Sequence, residues 1–365
     1  MALLPNWSAG ASTTAADVPS VNQDTRATFQ RLADAVLTDR TEALVDARRS
    51  TRHRSLNDRF SGEVRISSGV RSAENSAVSE LRGRKSRLAA LGEKYSDAKT
   101  SVSLDKTVVR GRHAIVDVTE TTTLTYGHVR GDEPRTTGFQ ARHELRFSAD
   151  RHGNWQLTKV RSEDEGYAAV NQPSKPVAAP AVKDDGMPAA ARAAITWPAP
   201  SATKKLTGGA YDYKAMASYA EKYWSNYNPA YPNYNSKGGD CTNFVSQALR
   251  AGGWKDVTGS SSNVRSWFST SAGQSASFVG VNELSWFTLN SKRATNLANV
   301  YQMGVGDVLQ MDFNKDGSKD HAMIVTYRSA RGVPYLTYHS TNTYRRSVAS
   351  IIASYPNSAY YAYRT

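Results

Sequence analysis

The residues able to do covalent chemistry are few. The chain holds one cysteine, Cys241, in the run Gly238-Gly239-Asp240-Cys241-Thr242-Asn243-Phe244-Val245-Ser246-Gln247, and of seven histidines only His321 and His339 follow it. A thiol, an imidazole to take its proton and a group to orient that imidazole are what acyl transfer through a covalent intermediate requires. Glycines before Asp240, a helix-compatible run after it and Gly252-Gly253 beyond predict a short helix with Asp240 as its N-cap and Cys241 in its first turn. Free amides and the positive end of the helix dipole at that position would draw the thiol from about 8.5 toward neutrality. The same amides would face a developing oxyanion.

His321 opens Ala322-Met323-Ile324-Val325-Thr326-Tyr327, a strand by composition, and Tyr335-Leu336-Thr337-Tyr338-His339 is its return after a turn holding Gly332 and Pro334. Folding this hairpin about residue 330 sets His321 opposite His339, roughly 5 Å apart on one face. This predicts His321 as base and His339 as the group that orients it. Asn342, three residues further on, falls on the other face of a regular strand. Asp240 and Asn342 are retained as further orienting or substrate-binding candidates.

Competing explanations exist for each feature. Cys241 can be a small core hydrophobe, since Phe244, Val245, Ala248 and Leu249 share its inward face. Zinc held by Cys241, His321 and His339 lacks the closely spaced ligand pairs of such sites. Asp312-Phe313-Asn314-Lys315-Asp316-Gly317 has the front of a calcium loop, but Met323 stands where the twelfth-position acid belongs, and a polar turn accounts for the same residues. No metal and no cofactor are therefore assigned. The aromatic stripe Tyr219, Tyr223, Trp224 and Tyr227 at helical spacing is a core face first and a ligand platform second.

The elements that must carry these residues form the second of two units. From Gln23 to about Phe60, and again from Ala73 to Tyr95, apolar residues recur at helical spacing. Four segments rich in Val, Thr and aromatics follow (100–104, 114–126, 138–147 and 155–160), separated by turn sequences, and predict an antiparallel meander. Helices and then a meander make an α+β accessory domain over 21–170, with the layout of a cystatin-like or NTF2-like unit. Its histidines show no metal spacing. Residues 171–205 contain six of the thirteen prolines and read as a semi-stiff linker, with the thiol-bearing domain over 206–365 and a disordered tail over 1–20.

The chain has 365 residues, 39% hydrophobic, and no apolar run near the roughly 20 residues that span a bilayer. Its net charge is +13, and the excess lies in the second part: residues 171–365 carry 20 Lys+Arg against 11 Asp+Glu, the remainder of 46 and 33 after 26 and 22 in residues 1–170. No basic cluster is interleaved with aromatics, so the charge is read as a solvated surface suited to an anionic polymer, and nucleic acid is not expected. The start has neither a basic n-region nor a long apolar h-region, which leaves either a cytoplasmic protein or the mature terminus of an exported one.

Asp-Cys-Thr-Asn-Phe-Val-Ser-Gln at 240–247, Gly306-Asp307-Val308-Leu309, Asp320-His321-Ala322-Met323-Ile324-Val325 and His339-Ser340-Thr341-Asn342 together resemble the bacterial putative amidase domain family. They are more distantly similar to the NlpC/P60 cysteine peptidases. The resemblance covers 206–365. It implies a papain-like α+β fold, a cysteine nucleophile on the first helix, and hydrolysis of an amide or peptide bond, with cell-wall peptide as the substrate class and an extracellular or wall-associated setting. In the family an Asp often stands where this chain has Asn342. An acyltransferase using the same residues, or a wall- or partner-binding module without catalysis, are the rival readings.

Overall fold

The structure, a computed structural model, describes residues 22–46, 64–164, 167–173, 181, 186–199, 204, 210–235, 237 and 239–365. The tail expected over 1–20, the continuation of the first helix toward Phe60 beyond residue 46, and much of the expected linker lie outside them.

The first helix is Gln23–Glu42, started by Asn22, whose side chain accepts the Thr25 amide at 2.8 Å. The second is Ser68–Ala90, capped by Ser67, whose hydroxyl accepts the Val70 amide. Between them lies β1 (Val64–Ile66), which runs parallel to β5. The meander follows as expected in order and hand of pairing: β2 (Tyr95–Arg110), β3 (His113–Tyr126), β4 (Thr136–Ala149) and β5 (Trp155–Ser162), each antiparallel to the next. In β3 the even-numbered residues from Ala114 to Tyr126 are buried and the odd ones are not, the period-2 pattern of a sheet with one covered face. The first helix lies on that face, with Phe29 stacked on Phe147 at 4.0 Å.

The second unit begins with the Tyr213–Tyr223 helix and the Cys241–Ala251 helix, which pack together across the Ala248 and Met216 side chains. Their approach is close enough to require glycine at 252, where a Cβ would stand 2.2 Å from Met216 Cγ and 2.8 Å from the Asp212 carbonyl oxygen. A small ladder of β6 (Ser269–Thr270) and β7 (Gly273–Gln274) and a Val281–Asn290 helix follow. The sheet of this unit is β12 (Thr343–Ser347), β11 (Pro334–Tyr338), β10 (His321–Arg328), β9 (Val308–Asp312), β13 (Ala359–Arg364) and β8 (Thr295–Leu297), in that spatial order. One face, with Ala322 and Ile324, packs on the Cys241 helix. The other, with Met323, Val325, Leu336 and Tyr338, packs on Tyr167 and the Val348–Ser354 helix. The architecture is thus mixed α+β in both units.

The two units share one sheet. β5 covers β4 only from His143 onward, and β12 pairs with the open part of that edge at Gly138 and Phe139. The Gln140 amide then donates to the Asn342 carbonyl at 2.9 Å. Past β5 the chain is pinned between the units: Asn171, fully buried, donates to Glu120 at 2.6 Å and to the Thr41 hydroxyl at 2.8 Å, and Arg84 donates to the Gln172 carbonyl at 2.8 Å. Residues 186–199, expected as free linker, include Ala193 and Ala194, which hydrogen-bond to Tyr360 and Ala298.

Candidate active site

Cys241 is the first residue of its helix, and Phe244, Val245, Ala248 and Leu249 seat that helix in the core with no exposure. Asp240 occupies the N-cap position, yet its carboxylate does not cap the helix. One oxygen, Oδ1, accepts the Tyr234 amide at 3.0 Å and the Asn243 side-chain amide at 2.8 Å. The other, Oδ2, lies 2.7 Å from His339 Nδ1. An acid expected to act on backbone amides therefore acts on an imidazole, and the first-turn amides are left unused by it.

His339 lies just past β11, buried, with its ring 3.9 Å from Phe244 and 4.0 Å from Tyr227. Its Nε2 is 2.8 Å from the carbonyl oxygen of Tyr223, the last residue of the preceding helix. A carbonyl oxygen only accepts, so Nε2 donates there, and the Asp240–His339 pair holds two protons between them. After His339 the backbone turns through two left-handed residues, Ser340 and Thr341, with φ of 63° and 65°. That turn puts the Ser340 hydroxyl under the Asp240 amide at 3.2 Å. It also brings Asn342 back to the margin of the site, where Oδ1 accepts the Tyr227 hydroxyl at 2.8 Å. Asn235 donates to the same Tyr227 oxygen. Tyr227, read from its spacing as part of a helical stripe, in fact lies beyond the helix and covers the imidazole.

The Cys241 sulfur is buried, receives the backbone amides of Ala322 and Thr242, and lies 3.7 Å from the Thr242 hydroxyl. Burial pushes the thiol up, and the negative charge of Asp240 adds to this. The hydrogen bonds from Ala322 and Thr242 pull the other way without prevailing. In this closed arrangement the thiol is therefore raised, where a helix N-terminus alone would draw it toward neutrality, because desolvation outweighs the hydrogen bonds from Ala322 and Thr242.

His321 is not at this site. The structure corrects its assignment as base, and the reason is one residue of register. Arg328 pairs with Pro334 and Tyr327 with Tyr335, but beyond a bulge at Thr326 the pairs are Val325 with Leu336 and Ile324 with Thr337. The extra residue reverses the parity of β10 against β11. Ile324 and Thr337 share the face of the Cys241 helix, so His339, two residues past Thr337, stays on that face, whereas His321, three residues before Ile324, points to the opposite one. There it stacks on Tyr167 at 4.1 Å and meets Tyr338 edge-on at 5.3 Å, and its Nε2 has no partner among the described residues. Burial, and the Arg346 charge beyond it, push its pKa down to about 3. His339 thus takes the place beside the thiol helix, with its Nδ1 against the Asp240 carboxylate.

The loop with calcium-like spacing is closed on itself. Asp312 accepts the Lys315 amide at 2.6 Å and the Gly317 amide at 2.9 Å, and Asn314 is bonded to Asp316. Asp312 is fully buried, and its oxygens satisfy the turn's own backbone. Among the described residues no helix is long and apolar enough to cross a membrane.

Residues 210–363 match the family described as Putative amidase domain. Two proteins of Bacillus subtilis (strain 168) are similar over this region. One is the uncharacterized protein YhbB, 33% identical over 140 residues, which are 37% of this chain and 44% of that protein. The other is the uncharacterized protein YjcM, 35% identical over 146 residues, 36% of this chain and 31% of that protein. The chain therefore spans less than half the length of these curated relatives. The intermembrane-space region of the chloroplast protein ARC6 is matched over 37% of this chain and 94% of its own, at 14% identity and a TM-score of 0.22.

Proposed function

We propose that residues 210–363 form an amide hydrolase in which Cys241 is the nucleophile, His339 the proton carrier and Asp240 the residue that holds His339 in place. The observation that carries this reading is the buried Asp240–His339 pair at the foot of the thiol helix. It has the relation of an orienting carboxylate to a base, with Nδ1 on the carboxylate and Nε2 on the opposite side of the ring, held by the Tyr223 carbonyl. For turnover, Nε2 must leave the Tyr223 carbonyl and release its proton to solvent, leaving the other proton between Nδ1 and Asp240, and Tyr227 must move off the ring, so that Nε2 with a free lone pair meets the sulfur. The Cys241 proton then passes to Nε2 as sulfur bonds to the amide carbon and the carbonyl electron pair moves to oxygen, faced by first-turn amides. Collapse expels the amine, which takes the proton from the imidazolium. Water, deprotonated by His339, cleaves the thioester and regenerates the thiol.

The amide is proposed to belong to a cell-wall peptide, outside the cell, where a net charge of +13 suits an anionic polymer. A specific observation favours a second reading: the thiol is buried with its pKa raised, as in a core cysteine of a non-catalytic binding module. Digestion of peptidoglycan fragments, followed by mass spectrometry, separates the two. New amine and carboxyl ends that disappear in Cys241→Ser and His339→Gln support hydrolysis. Cleavage that persists in Cys241→Ser refutes the thiol mechanism, and no cleavage of wall fragments or simple peptide amides by the intact chain refutes the hydrolase.

A further inference from the structure

A recess lies away from Cys241, where the two units meet. It has a volume of about 340 Å³, within the range of small-molecule sites. Its walls come from six separate parts of the chain: the end of the Ser68–Ala90 helix, the β3–β4 loop, Trp197, Tyr301, the β10–β11 turn with Tyr335, and Ala349 of the Val348–Ser354 helix. None of these residues serves the Cys241 site.

The depth of the recess is acidic and aromatic. Glu93 Oε1 accepts the Ser347 hydroxyl at 2.6 Å, and its Oε2 has no partner among the described residues. Burial first, and Glu133 across the recess in part, push the Glu93 carboxyl up to about 7. A positive group placed there would relieve both effects. Arg346, the nearest buried cation, is already bonded to Ser350, Ser354 and Tyr338. The Tyr301 and Tyr335 hydroxyls likewise have no hydrogen-bond partner among the described residues, although both side chains are buried. Trp197 closes one wall while remaining 42% exposed, unusual for so large an apolar ring.

The mouth is basic. His128 and Arg130 are exposed, and Arg331, with a side chain 40% exposed, touches Glu133 only at 3.8 Å. The lining thus carries both signs of charge, the Glu93 and Glu133 carboxylates and the Arg130 and Arg331 cations, with the aromatic rings of Trp197, Tyr301 and Tyr335 beside them.

We propose that this recess binds a zwitterionic small molecule of the amino-acid or dipeptide class, its ammonium on Glu93, its carboxylate toward His128, Arg130 and Arg331, and its body against Trp197, Tyr301 and Tyr335. The site is independent of the hydrolase reading, since no step of that chemistry uses it. Calorimetric titration of the full chain with three probes sharing one body tests it: L-phenylalanine, phenethylamine and 3-phenylpropionate. The expected result is binding of phenylalanine at least about tenfold tighter than either single-charge analogue, because each lacks one charge-assisted contact. Glu93→Gln and Trp197→Ala should each weaken phenylalanine by a similar factor, while Cys241→Ser should bind as the parent does. Trp197 is exposed, so its variant keeps the fold even if Glu93→Gln does not. Phenethylamine binding as tightly as phenylalanine, full binding by Trp197→Ala, loss of binding in Cys241→Ser, or no binding of any probe at millimolar concentration overturns the proposal.

Discussion

Replacing His321 by Phe separates the face on which this side chain sits from the face on which chemistry is proposed. In the folded chain His321 is held neutral, with its pKa near 3 instead of 6.5, first by burial. The unfolded chain therefore binds a proton that the folded chain refuses, and stability falls as pH drops through the window between those values. At pH 5 the linkage costs about 2 kcal/mol, and below pH 3 it approaches about 5 kcal/mol. Phe keeps the stack on Tyr167, and the Nε2 it removes has no partner among the described residues. The variant should match the parent at pH 8 to within the roughly 1 kcal/mol typical of such a swap, and should exceed it by about 2 kcal/mol more at pH 5. Urea unfolding at the two pH values, read as the difference between the proteins, cancels the titration of every other group. Activity should be retained. Parallel pH dependence in the two proteins would refute the burial argument. A folded but inactive His321→Phe would show that the side chain turns to the Cys241 face after all.

Three further outcomes are expected. Alkylation of Cys241 by iodoacetamide should be slower at pH 7 than that of an exposed cysteine and should reach half-maximal rate at higher pH, since burial raises the thiol; Tyr227→Ala, which uncovers His339, should speed it, and rates equal to a free thiol in the parent would contradict the closed site. Asp240→Asn should lower kcat with little change in KM and destabilise the chain by about 1 to 3 kcal/mol, because it disturbs a buried hydrogen bond to His339; unchanged turnover would remove Asp240 from the orienting role. A fragment beginning at Lys204 should bind hydrophobic dye and melt without cooperativity, because it strips Tyr167 from His321 and uncovers Tyr335, Ala349 and Ala353, whose neighbours are Tyr95, Tyr126 and Phe139; a sharp transition at the parent's temperature would show that the second unit folds alone.

Much of the scaffold was legible because its signals are local. The meander announced itself through alternation and turn residues, and strands such as β3 end where they were expected, since one covered face imposes a period of two on the sequence. The longer extent of β2 escaped notice because its outward residues are polar and carry no such period. The Cys241 helix was marked at both ends by glycine, one of which is required by the Met216 contact. The raised thiol was not readable, for its burial involves Ala322 of β10, about 80 residues further along the chain. Asp240 was visible as a cap, but its action on His339 rests on the left-handed pair Ser340 and Thr341, whose side chains do not ordinarily signal that conformation.

The histidine assignment shows how little separates a right strand from a wrong site. Both strands of the hairpin were placed within one residue of their observed ends, 321–328 and 334–338. Near the turn the observed pairing, Arg328 with Pro334, has the same parity as a fold about residue 330, and on that parity His321 and His339 would share a face. The single unpaired position at Thr326 changes it. Thr326 is β-branched and its hydroxyl meets that of Thr337 at 2.8 Å, so the bulge is tied by a side-chain bond across the ladder, yet a threonine in a strand is ordinary by composition. Because side chains alternate, one inserted residue moves every following side chain to the other face, and it did so here between two histidines that chemistry alone would pair. What remains by the thiol helix is His339, and its partner is the acid next to the cysteine in sequence, Asp240. The catalytic proposal therefore draws its acid and nucleophile from adjacent residues and its imidazole from a turn that only the three-dimensional register brings to them.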